Sequence, residues 1–112
     1  MPRGAVEQAV LAWSEKQFQE QVVGAAQALG WPAIYHTHDS RRSAPGFPDL
    51  VLVHPKHGLI FRELKTETGT LTPAQHDWID LLQHTGHDAE VWRPRDWASR
   101  LIHAELAGRR RA

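Results

Sequence analysis

Two apolar stretches in the middle of the chain carry acids where an ordinary strand would not, and this restricts what the chain can become. Residues 46–65 read GFPDLVLVHPKHGLIFRELK. The runs at 49–53 and 59–65 have the length and apolar content of strands, and Pro55-Lys56-His57-Gly58 between them has turn chemistry, so a hairpin is predicted. Asp49 opens the first strand, and Glu63 and Lys65 end the second. Side chains alternate along a strand, so Glu63 and Lys65 share one face while Leu64 points the other way, into a core. A lone carboxylate after Leu59-Ile60-Phe61 is costly to bury unless it is paired or holds a cation. The plain readings are a turn acid at Asp49, a surface pair of Glu63 with Arg62 or Lys65, and a solvated lysine at Lys65. Taken together, two carboxylates and an ammonium at one end of a sheet suit Mg²⁺ and an attacking water held by the lysine. That is a phosphodiester hydrolysis site in outline.

The rest of the chain supplies a frame for that hairpin. Ser14-Glu15-Lys16-Gln17 fits a capping box, opening a helix that runs to about Leu29 and stops at Gly30 with Pro32 beyond. Phe18, Val22, Ala25, Ala26 and Leu29 form its apolar stripe. Residues 5–13 are a short helix or an extension of this one. Residues 33–38, AIYHTH, read as a strand, and the polar loop 39–46 leads directly into Asp49. Thr72-Pro73-Ala74-Gln75 is a second capping box with proline at the first helical position; its helix carries Gln75, Trp78, Ile79 and Leu82 on one face and ends near Gly86. Residues 88–92 read as a strand, and Asp96 as the cap of a last helix over 97–107. The helix between the second hairpin strand and strand 88–92 predicts a parallel crossover beside an antiparallel pair. The predicted fold class is α/β, a mixed sheet flanked by helices. Residues 1–13 are read as an N-terminal extension, 14–107 as a single domain and 108–112 as a basic tail.

Composition narrows the setting. At 112 residues the chain makes one domain with a modest core, to which a second copy could add stability. It has no cysteine, so neither a disulfide framework nor a thiolate metal site is available. No run approaches a membrane span and no signal-peptide pattern opens the chain, which points to the cytoplasm. The formal net charge is zero, a mild argument against a nucleic-acid partner, but local clustering of Arg41, Arg42, Arg93, Arg95 and Arg109-Arg110-Arg111 could still build a basic face. Eight histidines raise zinc, yet only His36 and His38 share a strand face, and no HExxH pattern is present. Trp78, Trp31 and Trp92 fit the core.

Pro48-Asp49 followed by Glu63-Leu64-Lys65 resembles the PD-(D/E)XK nuclease motif. With Gly46-Phe47-Pro48-Asp49-Leu50, Gly69, Gln75, Trp78 and the segment from Gly86 to Arg93, the chain resembles the VRR-NUC family over roughly residues 14–97, in the stand-alone form of phages and prophages. The PD…ELK pair alone is weakly specific; its combination with the following G…Q…W helix is stronger. The resemblance implies a restriction-endonuclease-like mixed sheet and a Mg²⁺-dependent DNA endonuclease, with Mn²⁺ able to substitute. Asp49, Glu63 and the Leu64 carbonyl would hold the metal, Lys65 would position the water, and Gln75 would line the site. Family relatives point to branched, flap or Holliday-junction DNA; a junction-like substrate and the small core both favour a homodimer that cuts two strands. The same pattern implies a third acid from the first helix, with Glu15-Phe18-Gln19 matching its spacing. Helix geometry agrees: at about 100° per residue, Glu15 falls about 40° from the centre of the apolar stripe and Glu20 about 180° away. Arg41 and Arg42 on the loop, with His36 and Gln19, are the expected substrate contacts. A non-catalytic DNA-binding module that keeps the fold, or an RNA nuclease, are the alternatives.

Overall fold

Ser14 and Thr72 start the two longest helices by the same device. Ser14 Oγ accepts from the Gln17 amide at 3.1 Å while Gln17 Oε1 accepts from the Ser14 amide at 2.9 Å. Thr72 and Gln75 repeat the exchange at 3.2 and 2.9 Å. Each box satisfies two of the amide donors that a helix start leaves without partners. The computed structural model describes residues 4–37 and 44–109. Its elements in order are α1 (Ala5–Leu11), α2 (Glu15–Ala28), β1 (Ala33–His36), β2 (Leu50–His54), β3 (Gly58–Leu64), α3 (Pro73–His84), β4 (Asp88–Trp92), α4 (Pro94–Ala98) and α5 (Leu101–Leu106).

The strands form one sheet in the order β1-β2-β3-β4, antiparallel from β1 to β3 and parallel between β3 and β4. This is the mixed sheet expected from a hairpin followed by a helical crossover. β3 is an inner strand, so its two faces diverge. Ile60 and Leu64 join Leu50, Leu52 and Trp92 against Phe18, Val22 and Ala26 of α2 and Ile102 and Leu106 of α5. On the opposite face, Phe61 meets the Phe47 ring edge-on at 6.3 Å, and Phe47 meets Trp78 of α3 at 5.1 Å.

Three local expectations are corrected. The single helix over 97–107 is two short helices, because Pro94 starts α4 early and Arg100 between them takes φ 71. That left-handed residue redirects the chain so that Ile102, Glu105 and Leu106 reach the core, and Leu106 O accepts from Trp31 Nε1 at 2.9 Å. Leu29, assigned to the buried stripe of α2, is 45% exposed, since the helix has already ended at Ala28. Arg62 is not a surface partner of Glu63. It is fully buried on the opposite face, bonded to Asp88 Oδ1 at 2.9 Å and Glu105 Oε1 at 3.4 Å, with its guanidinium over the Trp92 ring. Trp92 Nε1 donates to the same Glu105 oxygen at 2.7 Å. Residues 5–11 form a separate helix that buries Val10, and Trp13 packs edge-on against Trp97 at 5.5 Å. Among the described residues no helix is long and apolar enough to cross a membrane.

Candidate active site

The pairing of Leu50 with Arg62 sets Asp49, one residue before β2, opposite Glu63. Cross-strand neighbours share a face, so both carboxylates point toward the α3 side of the sheet. Thr37 occupies the next place in that row: its amide donates to Asp49 O at 2.9 Å and its hydroxyl to Pro48 O at 3.0 Å. Asp49 Oδ2 accepts from the Leu64 amide at 2.8 Å, which fixes the carboxylate against β3. Glu15, the first residue of α2, reaches the same point from the end of the helix. One carboxylate oxygen each from Glu15, Asp49 and Glu63 lie within 4.8 Å of one another. Glu20, five residues on, is exposed and is not in this group.

Glu63 is the buried member, 1% exposed. Its Oε2 accepts from Gln75 Nε2 at 3.0 Å and faces Lys65 Nζ at 3.8 Å. Its Oε1 is buried with no hydrogen-bond donor among the described residues. Burial first, then the Asp49 charge and a proton shared with Asp49, push the Glu63 carboxyl up to about 8 against the partial relief from Lys65; Glu15 adds to the rise. Glu15 is itself raised, by desolvation and then by Asp49, with Lys65 again opposing. Three carboxylates this close repel unless a cation or a proton sits among them. A buried Glu63 oxygen without a partner among the described residues, beside three carboxylates that offer hard oxygen ligands, suits a small divalent cation such as Mg²⁺. The donor set therefore fits a metal.

The other sequence candidates are distributed as follows. Gln75 and Lys65 both reach Glu63. Leu64 contributes its amide to Asp49, and its side chain is buried in the core. His36 pairs with Leu50, one place from the Thr37–Asp49 row, so it lies on the other face, where its Nε2 meets Gln19 Nε2. Arg41, Arg42 and His38 lie outside the described residues. Thr37 is a contributor that sequence reading missed. Its role depends on the β1–β2 register, and the loop between those strands leaves that register open at the level of sequence.

Comparison with known proteins bears on the family and the fold. Residues 2–96 match the family profile of the VRR-NUC domain. A stretch of 56 residues is 41% identical to the Fanconi-associated nuclease 1 homolog of Schizosaccharomyces pombe, covering 49% of this chain and 8% of that protein. The chain thus spans less than a tenth of that relative's length. A solved structure described as a VRR_NUC domain protein superposes with a TM-score of 0.65 at 21% identity, over 84% of this chain and 90% of the other, and so shares the fold.

Proposed function

The chain belongs to the VRR-NUC family, and on that premise we propose that it is a Mg²⁺-dependent endonuclease that hydrolyses phosphodiester bonds in DNA, with Mn²⁺ able to replace Mg²⁺. The observation that carries this reading is the Glu15–Asp49–Glu63 cluster, with Lys65 at the side of Glu63. Asp49, Glu63 and Glu15 would hold the cation through carboxylate oxygens, with the Leu64 carbonyl as a backbone ligand. A bound divalent cation supplies Lewis-acid polarisation of the phosphate and lowers the pKa of the attacking water.

The residues of the chain do the rest. Gln75 holds Glu63 in one rotamer through its amide donor. The Lys65 ammonium, 3.8 Å from Glu63, orients the nucleophilic water and offsets charge building on the phosphate. Arg41 and Arg42 precede Asp49 in the chain by a few residues and are suited to gripping the DNA backbone without reading sequence. Nothing in the sequence resembles a base-reading helix or a zinc finger, which favours structure-selective or non-specific cutting of branched, flap or junction DNA. A homodimer placing one site on each strand, and a stand-alone phage-type protein acting in the host cytoplasm, complete the proposal, with 14–107 as the nuclease domain and 108–112 as a basic tail.

The test is a cleavage panel of linear, nicked, flap and four-way DNA, and the same shapes in RNA, with Mg²⁺ or Mn²⁺. Asp49→Asn and Glu63→Gln keep the local shape and should each abolish cutting while the protein stays folded. Wild-type rates in either variant would remove the reading. DNA bound but never cut by the wild-type protein would make it a binding module, and cutting confined to RNA strands would reassign the substrate.

A further inference from the structure

We propose that Arg93 is a positioning residue for cleavage: its guanidinium clamps the turn after Lys65 and so fixes where the Lys65 ammonium stands beside Glu63. The inference rests on the nuclease reading above and concerns a residue outside the metal cluster.

The parallel ladder between β3 and β4 ends with Leu64 beside Trp92, and the Lys65 amide adds one more rung by donating to Trp92 O at 3.1 Å. The next residue on each strand places Arg93 alongside Lys65. From there Arg93 Nη1 donates to Thr66 O at 2.7 Å and to Gly69 O at 2.6 Å. The backbone is therefore pinned on both sides of Lys65, through its own amide to residue 92 and through the following carbonyl to residue 93.

The clamped turn passes close to the lysine stem. A Cβ added at Gly69 would stand 2.9 Å from Thr66 Oγ1 and 3.7 Å from Lys65 Cδ, so there is little room between the turn and the stem. The Gly69 amide bonds back to Thr66 Oγ1 at 3.0 Å, closing the turn on itself. Beyond it the chain runs into the Thr72 cap and Gln75. The two groups that reach Glu63 from later in the chain, Lys65 and Gln75, thus stand on either side of the segment that Arg93 holds.

Arg93 is itself held. Its amide donates to Asp96 Oδ2 at 2.8 Å, and the next residue, Pro94, is buried. Among the described residues the guanidinium has no carboxylate within ion-pair distance; its bonds go to backbone carbonyls. A cation spent on two carbonyls of one turn sets geometry rather than balancing a charge. Misplacing a reacting group by about 1 Å can cost on the order of 100-fold in rate, which is the scale of effect the clamp guards against.

The experiment compares Arg93→Ala and Arg93→Lys with the full-length wild-type chain, on a DNA substrate that the wild type cuts with Mn²⁺. Arg93→Ala should lower kcat by roughly 10- to 100-fold with KM and its salt dependence unchanged. Arg93→Lys should recover most of kcat, because one ammonium can donate to both carbonyls. In metal-free protein, amide hydrogen exchange over residues 65–69 should quicken in Arg93→Ala alone, with β2 amides unaffected. If Arg93→Ala does not fold, Gly69→Ala, which keeps the Arg93 side chain but crowds Thr66 Oγ1 and shifts the turn it holds, should show the same split between kcat and KM. An unchanged kcat, or a lysine variant as impaired as the alanine one, overturns the proposal. So does a loss confined to KM with a shallower salt slope, which would make Arg93 a phosphate contact. Absence of cutting by the wild type would instead count against the nuclease reading, and the exchange experiment would still decide the clamp.

Discussion

Gln75 reaches Glu63 and closes its own helix cap with the two ends of one amide: Nε2 donates to Glu63 Oε2 at 3.0 Å, and Oε1 accepts from the Thr72 amide at 2.9 Å. The capping role and the site role, which look like competing explanations in the sequence, are a single geometry. The cap also settles the amide's orientation, because only Oε1 can accept from Thr72, leaving the NH₂ end for the carboxylate. The N-terminus of α3 is thereby fastened to the acid cluster.

The two roles separate by mutation. Gln75→Glu keeps an oxygen for the Thr72 amide but removes the donor to Glu63 and adds a like charge. Misplacing Glu63 should lower kcat roughly 10- to 100-fold, and the lost bond with the added like charge should also lower the melting temperature. Thr72→Ala should lower stability by about 1 kcal/mol in a urea titration but leave cleavage within a few-fold of wild type. Equal effects of both variants on cleavage would mean that Gln75 matters only as a cap.

The two glutamates of α2 make a second pair. Both are exposed, but Glu15 joins Asp49 and Glu63 with ligand oxygens within 4.8 Å, and Glu20 does not belong to that group. Glu15→Gln should therefore cut the cleavage rate by orders of magnitude and weaken Mn²⁺ binding in a calorimetric titration. Glu20→Gln should leave both nearly untouched. Equal loss from the two substitutions would assign the effect to helix charge rather than to ligation.

Gly46 links the loop before Asp49 to α3. It adopts φ +85, and a Cβ there would lie 2.4 Å from Ala74 C and 2.7 Å from the Gln75 amide. Trp78 Nε1, from the same helix, donates to Pro45 O at 3.1 Å. Gly46→Ala thus meets both a strained backbone and a clash with a helix backbone that cannot give way. It should destabilise by about 2 kcal/mol or more and should also lower kcat, because the displaced helix carries Gln75. A thermal melt and a cleavage assay on the same sample check both halves.

The elements around the hairpin were legible because their signals are local. Ser14 with Gln17 and Thr72 with Gln75 announce two helices, and acids at Asp49 and Glu63 in apolar strands announce a site. Period-two alternation separated Leu64 from Glu63 and Lys65, as the burial of Leu64 in the core reflects. What was not legible depends on tertiary pairing. Arg62 looks like a surface charge until α5 brings Glu105 under it, a contact 43 residues away in sequence. Thr37 enters the acid row only through the β1–β2 register. The break at Arg100 has no glycine to mark it; the demand comes from packing Ile102 and Leu106, which a propensity reading cannot weigh.

The last prediction couples protons to the cation. Glu63 is raised from 4.5 to about 8, by burial first and then by Asp49, with Lys65 opposing. In the metal-free protein the folded state therefore holds a proton that the unfolded chain releases near 4.5. The sign follows: this contribution to stability is fully present below about pH 4.5 and is lost as pH rises through 8. A divalent cation takes the place of that proton, so its binding releases one below pH 8 and releases none well above it. Stabilisation by Mn²⁺, read as the rise in melting temperature at fixed concentration, should grow from pH 6 to 8 and level off beyond. At pH 7, calorimetry in buffers of different ionisation enthalpy should report close to one proton released per ion bound. Glu63→Gln should flatten the pH dependence of the metal-free melting temperature, raise that temperature near pH 8, and abolish the response to Mn²⁺. A Mn²⁺ shift of equal size from pH 6 to 9 would mean that Glu63 is already ionised at neutrality and that the cluster holds its ion without exchanging a proton for it.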